Sequence, residues 1–526
     1  MLGRMLLAAL LTLGALAPAQ ADEPLMVDAK AFIDPALPDC GIQKAIDSLP
    51  KTGGVVVLPE GTFVLERYLY LKSGTMLRGQ GEKTILHVGR PEQRRNVTAR
   101  VRGIAEVPVE GDLTGLKPGM IVFAWRYLNP GFAGYIREYR VKEVQGQVVV
   151  LHEPSTYELL PANKAQLSWG LTTALAAPAV RSARTIEVEH PDLFKPGDAI
   201  AFSGKGDLWD HHFNVITAID GNTLTLERTL TVASDAGALV HHAYCLITAD
   251  GEKNIGVEDL VIQGWESEEK PRWGGFNLGG FHTVRCDNIT LKNVTVQDWN
   301  GDAISIQSGK EARVENCAVL RNRGRGFHPG TNFTNAEFVN CKAIGNDGDG
   351  FYYCWHNNNV NLRNSLIKDN RNNGVGGLGN PGDRKCIVEG NTIEGNARAG
   401  VEINGGMSSG SIIRNNIIRD NSRSKPGSWP GIAIYATAED AQDYLIEGNT
   451  VESTLETPTQ WIGIEERNGD PVKREIERKG KKVEVTKLAD RNRIVKNTVK
   501  GHKTADILAV GPNTVVEGNG DAVVKR

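Results

Sequence analysis

The sequence predicts an all-β fold, a single-stranded right-handed parallel β-helix with an N-terminal capping helix and an inserted pair of small β-units. Three observations predict it. Asn293, Asn316, Asn340 and Asn364 recur at steps of 23, 24 and 24 residues, and the rhythm continues more loosely through Asn391, Asn416, Asn449 and Asn497. Nine residues after each of the first four comes a corner, Asp302, Arg325, Asp349 or Asn373, followed by a small residue and an apolar one (Ala303-Ile304, Gly326-Phe327, Gly350-Phe351, Gly374-Val375). The runs between turns are short, β-branched and bounded by Asn, Asp and Gly, as strands are, and none keeps a helical period for three turns. A period of this size, with room for about three strands and three turns per coil, marks a solenoid whose coils stack about 4.8 Å apart. Inward asparagines of such coils bond to their own kind and satisfy turn backbone, so the Asn293–Asn364 ladder is read as inward and structural.

The elements follow in order. Arg4, the apolar run Met5–Leu16 and Ala19-Gln20-Ala21 make residues 1–21 a signal peptide cleaved after Ala21, which implies a secreted or periplasmic protein; the run is too short to span a membrane, and no later segment is long enough either. Residues 22–99 hold the cap and the first coils. A capping helix over 39–50 has Asp39 as N-cap and Ile42, Ile46 and Leu49 on one face. It gives way to strands at Val55–Leu58, Phe63–Leu65 and Tyr68–Leu71. Residues 100–245 break the rhythm and duplicate themselves: Leu116–Phe123 is echoed by Phe194–Phe202, and Val141–Leu151 by Ile216–Leu226. This predicts two small β-barrels or sandwiches, which either wall one end of a groove or act as a spacer. Residues 246–526 form the regular helix, interrupted by a charged loop or hairpin at about 467–485 and ending near Val516–Asn519.

A net charge of −3 without a basic stripe excludes nucleic acid as the expected partner. The seven cysteines are an odd number and include no CxxC pair, so neither a full disulfide framework nor a structural zinc site is expected. Cys317 and Cys341 should stack inward as buried thiols. His211-His212 and His241-His242 alternate across strands and do not make a metal site.

Alternate side chains of a coil's strand face outward. With Phe327 inward, one outward column is Ser305, His328, Tyr352, Gly376, Glu402 and Ala433. The next is Gln307, Gly330, Cys354, Leu378, Asn404 and Tyr435. Three adjacent coils then place Asp302, Arg325, His328, Asp349 and Tyr352 on one wall: acids, a base, a phenol and a cation, a set suited to chemistry on sugars. Glu402 and Asn404 extend the wall as substrate-binding residues, and Trp299, Trp355 and Trp429 flank it for stacking on pyranose faces.

The string Gly53–Phe63 resembles the opening coil of pectate-lyase-like β-helix proteins. The segment Gly326-Phe327-His328-Pro329-Gly330, with a second Gly-Phe at 350–351, resembles the catalytic coils of mannuronan C-5 epimerases, which carry Y-G-F-D-P-H, then L-D-G-F, then R-H-G-F. Gly463–Asn468 and Gly511–Gly518 resemble that family's last coils. The likeness implies the fold and a polysaccharide substrate. The catalytic motif departs: Arg325 stands at the family's Tyr, His328 at its Asp, Gly330 at its His and Asn372 at its Arg, while Pro329 and Asp349 match. The family's own mechanism is therefore not expected. Pectin hydrolases of this fold use N-T-D, D-D and G-H-G on successive coils; Asn300-Gly301-Asp302 resembles the first, and the second is missing.

Two reactions fit the wall. In β-elimination or related uronate chemistry, Arg325 neutralises the uronate carboxylate while His328 or Tyr352 acts as base and acid. In inverting hydrolysis, Asp302 and Asp349 form the carboxylate pair, two coils or about 9.6 Å apart, against about 6.5–9.5 Å for inverting enzymes. Arg325 between them would depress both acids, an objection to hydrolysis. The third reading is a non-catalytic glycan-binding or envelope protein. No cofactor is required; calcium is the one ion left open, with Asp302 and Asp349 supplying two carboxylates towards the six or more oxygens it takes.

Overall fold

The computed structural model describes residues 24–89, 93–129, 132–204, 207–243, 245–264, 279–406, 409–470, 472–476 and 481–525. The segment 1–21, read above as a signal peptide, lies outside them. The architecture is the right-handed parallel β-helix that the repeat predicts. One face is a 12-stranded sheet that begins at Leu69–Tyr70 and runs through Ile247–Asp250, Phe281–Val284, Ile304–Gln307, Phe327–Pro329, Phe351–Tyr352, Val375–Leu378, Val401–Ile403, Ile432–Tyr435 and Ile462–Arg467 to Ala505–Leu508 and Val524–Lys525. The last strand extends the helix beyond the Asn519 end read from the sequence. The other faces form one 22-stranded sheet. The interior is a continuous apolar stack, with Phe327, Phe338, Phe351 and Tyr353 in successive ring contact at its centre.

Asparagines hold the coils in register, but they are not the Asn293–Asn364 set. Asn293, Asn316, Asn340 and Asn364 are exposed and sit at outer turns with φ of 50–55°, the left-handed conformation that asparagine tolerates. The buried ladders are Asn322–Asn346–Asn370–Asn396–Asn421, closed by Gln460, and Asn391–Asn416–Asn449–Asn497–Asn519. Asn370 is typical. Its Nδ2 donates to Ala343 O at 3.0 Å and Asn396 Oδ1 at 2.9 Å, and its Oδ1 accepts from the N–H (3.1 Å) and Nδ2 (2.9 Å) of Asn346. That uses both donors and both lone pairs of the amide. Cys317, Cys341 and Ser365 occupy the earlier coils of the second ladder, and Cys317 and Cys341 are buried thiols as expected.

The cap is shorter than the sequence suggested. The helix spans Ile42–Asp47 and its N-cap is Gly41, at φ 77°. Asp39 instead accepts the Gly41 N–H at 2.8 Å and pairs with Arg67. Ile42, Ala45 and Ile46 close the first coil, with Leu49 packed beside them.

The insertion leaves the helix after Thr84–Val88, begins with Gln93–Asn96, ahead of residue 100, and returns at Ile247. Leu69–Tyr70 pairs directly with Ile247–Thr248, so the coils on either side close over it. It contains two six-stranded sheets of identical order. In the first, 93–96, 166–169, 121–129, 132–145, 148–151 and 106–108 are neighbours in turn; in the second, 172–174, 239–242, 199–204, 207–220, 223–226 and 185–187. Single bridges, Val97–Val109 and Leu175–Val188, join first strand to last and close each into a barrel with its own core. The charged stretch near the C-terminus is an antiparallel hairpin, Val472–Ile476 with Lys481–Val485.

Replacing Asn370 by Leu strands the Asn346 and Asn396 amide groups inside the stack. At about 1–3 kcal/mol per unsatisfied group, the cost is expected to reach about 3 kcal/mol or more in chemical denaturation. Asn364→Gly, at an outer left-handed turn, is expected to stay within about 0.5 kcal/mol.

Candidate functional site

The wall is the outward face of the 12-stranded sheet. Ser305 registers against His328, Tyr352 against Gly376 and Glu402 against Ala433, as the outward column requires. The neighbouring column breaks at Leu378: the register shifts between Val375 and Leu378, Gly377 takes φ 70°, and Leu378 turns fully into the core. Trp299 is also a correction. It is 3% exposed and belongs to the main core, so it is not available to stack on a sugar. Trp355 is exposed, and Trp429 is half-buried under Arg398, whose guanidinium lies 5.3 Å from its ring. Asn404 is tied to its own wall, donating to Asn380 Oδ1 at 3.2 Å and bonding Thr437.

Asp302, Arg325, His328, Asp349 and Tyr352 come together. His328 Nδ1 lies 2.7 Å from Asp302 Oδ2, and both side chains are buried. The other Asp302 oxygen accepts the Arg325 N–H at 2.7 Å. Nε2 of His328 makes no oriented hydrogen bond. The His328 ring meets Tyr352 edge to face at 5.3 Å, and the Arg325 guanidinium stacks on the other part of the site, 3.8 Å from the Tyr352 ring centre and 3.7 Å from Asp349 Oδ2. Asn380 donates to the Tyr352 hydroxyl at 3.2 Å. Asn373 links the next two acids: its N–H donates to Asp349 Oδ1 at 3.1 Å and its Nδ2 to Glu402 Oε2 at 2.9 Å. Gly376, in the outward column, is where Asp349 leans across the sheet; a Cβ there would meet Asp349 Oδ1 at 2.4 Å.

Burial sets the protonation states as much as charge does. It pulls the His328 pKa down, but Asp302 and Cys354 beside it outweigh that and hold it above the usual histidine value. It raises Tyr352 more than Arg325 lowers it, so the phenol keeps its proton. It raises Asp349 more than Arg325 and the Asn372 and Asn373 bonds lower it. That removes the electrostatic objection to a proton-carrying acid at Asp349. Burial and then the charge of Asp349 push Glu402 up to about 7. Arg325 remains a cation: burial opposes its charge, but Tyr352, Asp302 and Asp349 more than compensate.

Cys354 is the site residue that the sequence placed on the wall without assigning it a role. It is the one cysteine of the seven that is not buried. Burial of its sulfur raises the thiol, but His328 and Thr331 outweigh this and bring it to about 7. Asn373, Asn380 and Arg398, which orient the acids and the phenol, carry turn or repeat signals only. Among the described residues no group of three or more His, Cys, Asp or Glu side chains is gathered to hold a metal ion. Asp302 and Asp349 each serve their own partners. Among the described residues no helix is long and apolar enough to cross a membrane.

The family model described as "right handed beta helix region" matches residues 240–382 and 378–520. Among solved structures, the chain is similar to the A-module of the Azotobacter vinelandii mannuronan C-5 epimerase AlgE4, at 15% identity over 93% of this chain and 99% of that one, TM-score 0.38. It is also similar to XylC in complex with xylose (10%; 94% and 86%; 0.43) and to an exopolygalacturonase from Thermotoga maritima (12%; 94% and 93%; 0.38). No curated protein matches by sequence.

Asp302→Asn removes the charge that holds the His328 pKa up and leaves the burial that pulls it down. Followed by NMR of the imidazole, the His328 midpoint is expected to lie lower in the variant than in the native protein, with Cys354 still raising it. A midpoint unchanged by the substitution would contradict the pairing.

Proposed function

The chain belongs to the right-handed β-helix family, and from that premise we propose that its wall acts on an acidic polysaccharide by abstracting the proton beside a uronate carboxylate and eliminating the 4-linked sugar. One observation carries this reading: a buried imidazole with Nδ1 fixed on a carboxylate and the Cys354 thiol beside the ring, packed against a phenol that in turn carries a guanidinium.

The roles follow from the chemistry. Asp302 accepts the Nδ1 proton of His328, fixing the tautomer in which Nε2 carries the lone pair. Nε2 is then the base that takes the proton on C5. Arg325 offsets the uronate carboxylate, whose negative charge otherwise opposes loss of that proton, and stabilises the enolate-like charge that develops. Tyr352, kept protonated by burial, gives its proton to the departing O4. Epimerisation would start from the same abstraction and differ in returning a proton to the opposite face. Asp302 is occupied by His328 and by the Arg325 N–H, which argues against it as a base that activates water.

A second reading rests on one specific observation. Glu402, held at about 7 beside Asp349, keeps a proton near neutral pH, as the general acid of a glycosidase must. The hydrolytic pair would then be Asp349 and Glu402, whose carboxyl groups share Asn373, its N–H on Asp349 at 3.1 Å and its Nδ2 on Glu402 at 2.9 Å. The secreted or periplasmic location implied by the leader places such an enzyme where polysaccharide is met.

Mature protein incubated with uronate polysaccharides is expected to generate the ultraviolet absorbance of unsaturated uronate ends. His328→Gln should lower the rate by about 10²–10⁴-fold, the usual worth of a positioned base. Because the base must be unprotonated and its pKa is raised, the rate should climb with pH through a midpoint above 6.5. New reducing ends without ultraviolet absorbance, lost in Glu402→Gln and retained in His328→Gln, would transfer the activity to the hydrolytic pair.

A further inference from the structure

The second barrel does more than fill the insertion: it sits on the wall. Phe213 and Val215 from the barrel join Tyr68, Tyr70, Cys245 and Val284 from the helix in one buried apolar cluster. The Phe213 ring lies 5.4 Å from that of His282 and 6.0 Å from that of Tyr68. A polar clamp flanks the cluster. Asp250 pairs with Arg285 at 2.6 Å and accepts from Thr231 of the barrel at 3.0 Å, and His212 of the barrel approaches it at 3.7 Å. The outward face of the first three coils is therefore built over. His282 registers with Ser305 and Ser305 with His328, so the reactive imidazole is only two coils, about 9.6 Å, from the covered end.

Polar side chains are buried at that end. Both ring nitrogens of His282 and the hydroxyl of its neighbour Thr248 are buried without a hydrogen-bond partner. Burial holds His282 near 3, so at neutral pH it is an uncharged imidazole, a donor and an acceptor. Buried polar atoms are rarely left unpaired in a folded protein, and such exceptions call for a partner. The other direction is different again. Over the following coils the wall carries cations stacked on aromatic rings: Arg398 on Trp429 at 5.3 Å, Lys503 on Trp461 at 4.2 Å, and Arg467, which also pairs with Glu465 at 2.8 Å, on Tyr435 at 4.4 Å. Aromatic faces and fixed cations suit successive sugars that carry carboxylates.

We propose that the wall is a one-ended groove: the barrel over the first coils stops a polymer there, the terminal sugar of an acidic polysaccharide binds on the His328 side of it, and the rest of the polymer runs along the cation–aromatic pairs towards the C-terminal coils. Resting on the eliminative reading for its chemistry, this makes the enzyme exo-acting, trimming short products from one chain end. A groove open at both ends would bind internal segments and cut at random.

Two measurements on the native mature protein test it. In the first, the products of a polyuronate digestion are sized from the earliest time points while the viscosity is followed. Mono- and disaccharides from the start, with viscosity falling only in step with total cleavage, are expected; an early spread of long products with a rapid viscosity drop overturns end recognition while leaving elimination standing. The second needs no turnover. Tryptophan fluorescence is titrated with polyuronates of several lengths, with His328→Gln as the inactive binder. If ends are recognised, the apparent Kd expressed in sugar units rises in proportion to chain length. A Kd that is constant or falls with length, or no binding to any length, overturns the proposal. Absence of ultraviolet product with length-dependent end binding would refute the eliminative chemistry and uphold the one-ended groove.

Discussion

Coil-to-coil register is the constraint on which the rest of this structure depends. The wall brings together residues from positions 302 to 402 only because each strand hydrogen-bonds to the one a coil earlier without slipping. A slip of one residue would turn His328 and Tyr352 inward and Phe327 and Phe351 outward. Apolar stacking alone penalises such a slip but does not pin it, since neighbouring apolar runs are alike. The buried asparagine ladders do pin it. Each amide is saturated by the coil before and the coil after, and at a net value of about 1 kcal/mol per bond the ladder's larger contribution is the cost of misalignment, which leaves four polar groups unpaired at every rung. The outer asparagines do another job, supplying the left-handed turn conformation that lets each coil change face.

With register fixed, the chemistry of the wall becomes a contest between burial and neighbouring charge. The same low-dielectric setting acts in opposite directions on its members. It drives His282, which has no partner, to stay neutral, and it fails to do so for His328 because Asp302 and Cys354 adjoin it. It keeps the proton on Tyr352, raises Asp349 above the usual carboxylate value and pushes Glu402 to about 7, while Arg325 stays charged through the summed influence of Tyr352 and two aspartates. A base, a protonated phenol and a permanent cation within two coils are thus products of position more than of residue type.

The fold was legible because period and turn chemistry repeat over many coils, and so was the central group, because column assignments follow from strand alternation once one inward residue is identified. What was not legible depended on single-residue local geometry. Regular spacing marks Asn293 to Asn364 and Asn322 to Asn421 equally, and spacing alone does not say which set points inward. The Gly376-Gly377 pair permits a bulge that turns Leu378 into the core, where strict alternation would have it outside. Trp299 stands one coil before Asn322, at the head of the buried asparagine ladder, where its N–H donates to Asn322 Oδ1 at 2.9 Å, so its place is core, unlike that of Trp429. Cys354 falls in an outward column by alternation, but nothing in the sequence gives its thiol a role until His328 is found next to it. The two barrels were visible as a duplication, whereas their seat on the wall at Phe213 was not, because it joins residues far apart in sequence through one apolar contact.

The central claim is that this wall removes the C5 proton of a uronate. It is tested most directly by comparing the mature protein's rate on a polyuronate carrying deuterium at C5 with its rate on the protiated polymer. The account requires a clear primary isotope effect on formation of the unsaturated end, abolished together with the product in His328→Gln. Cleavage at equal rates on both polymers, giving saturated ends and new reducing termini, would contradict it.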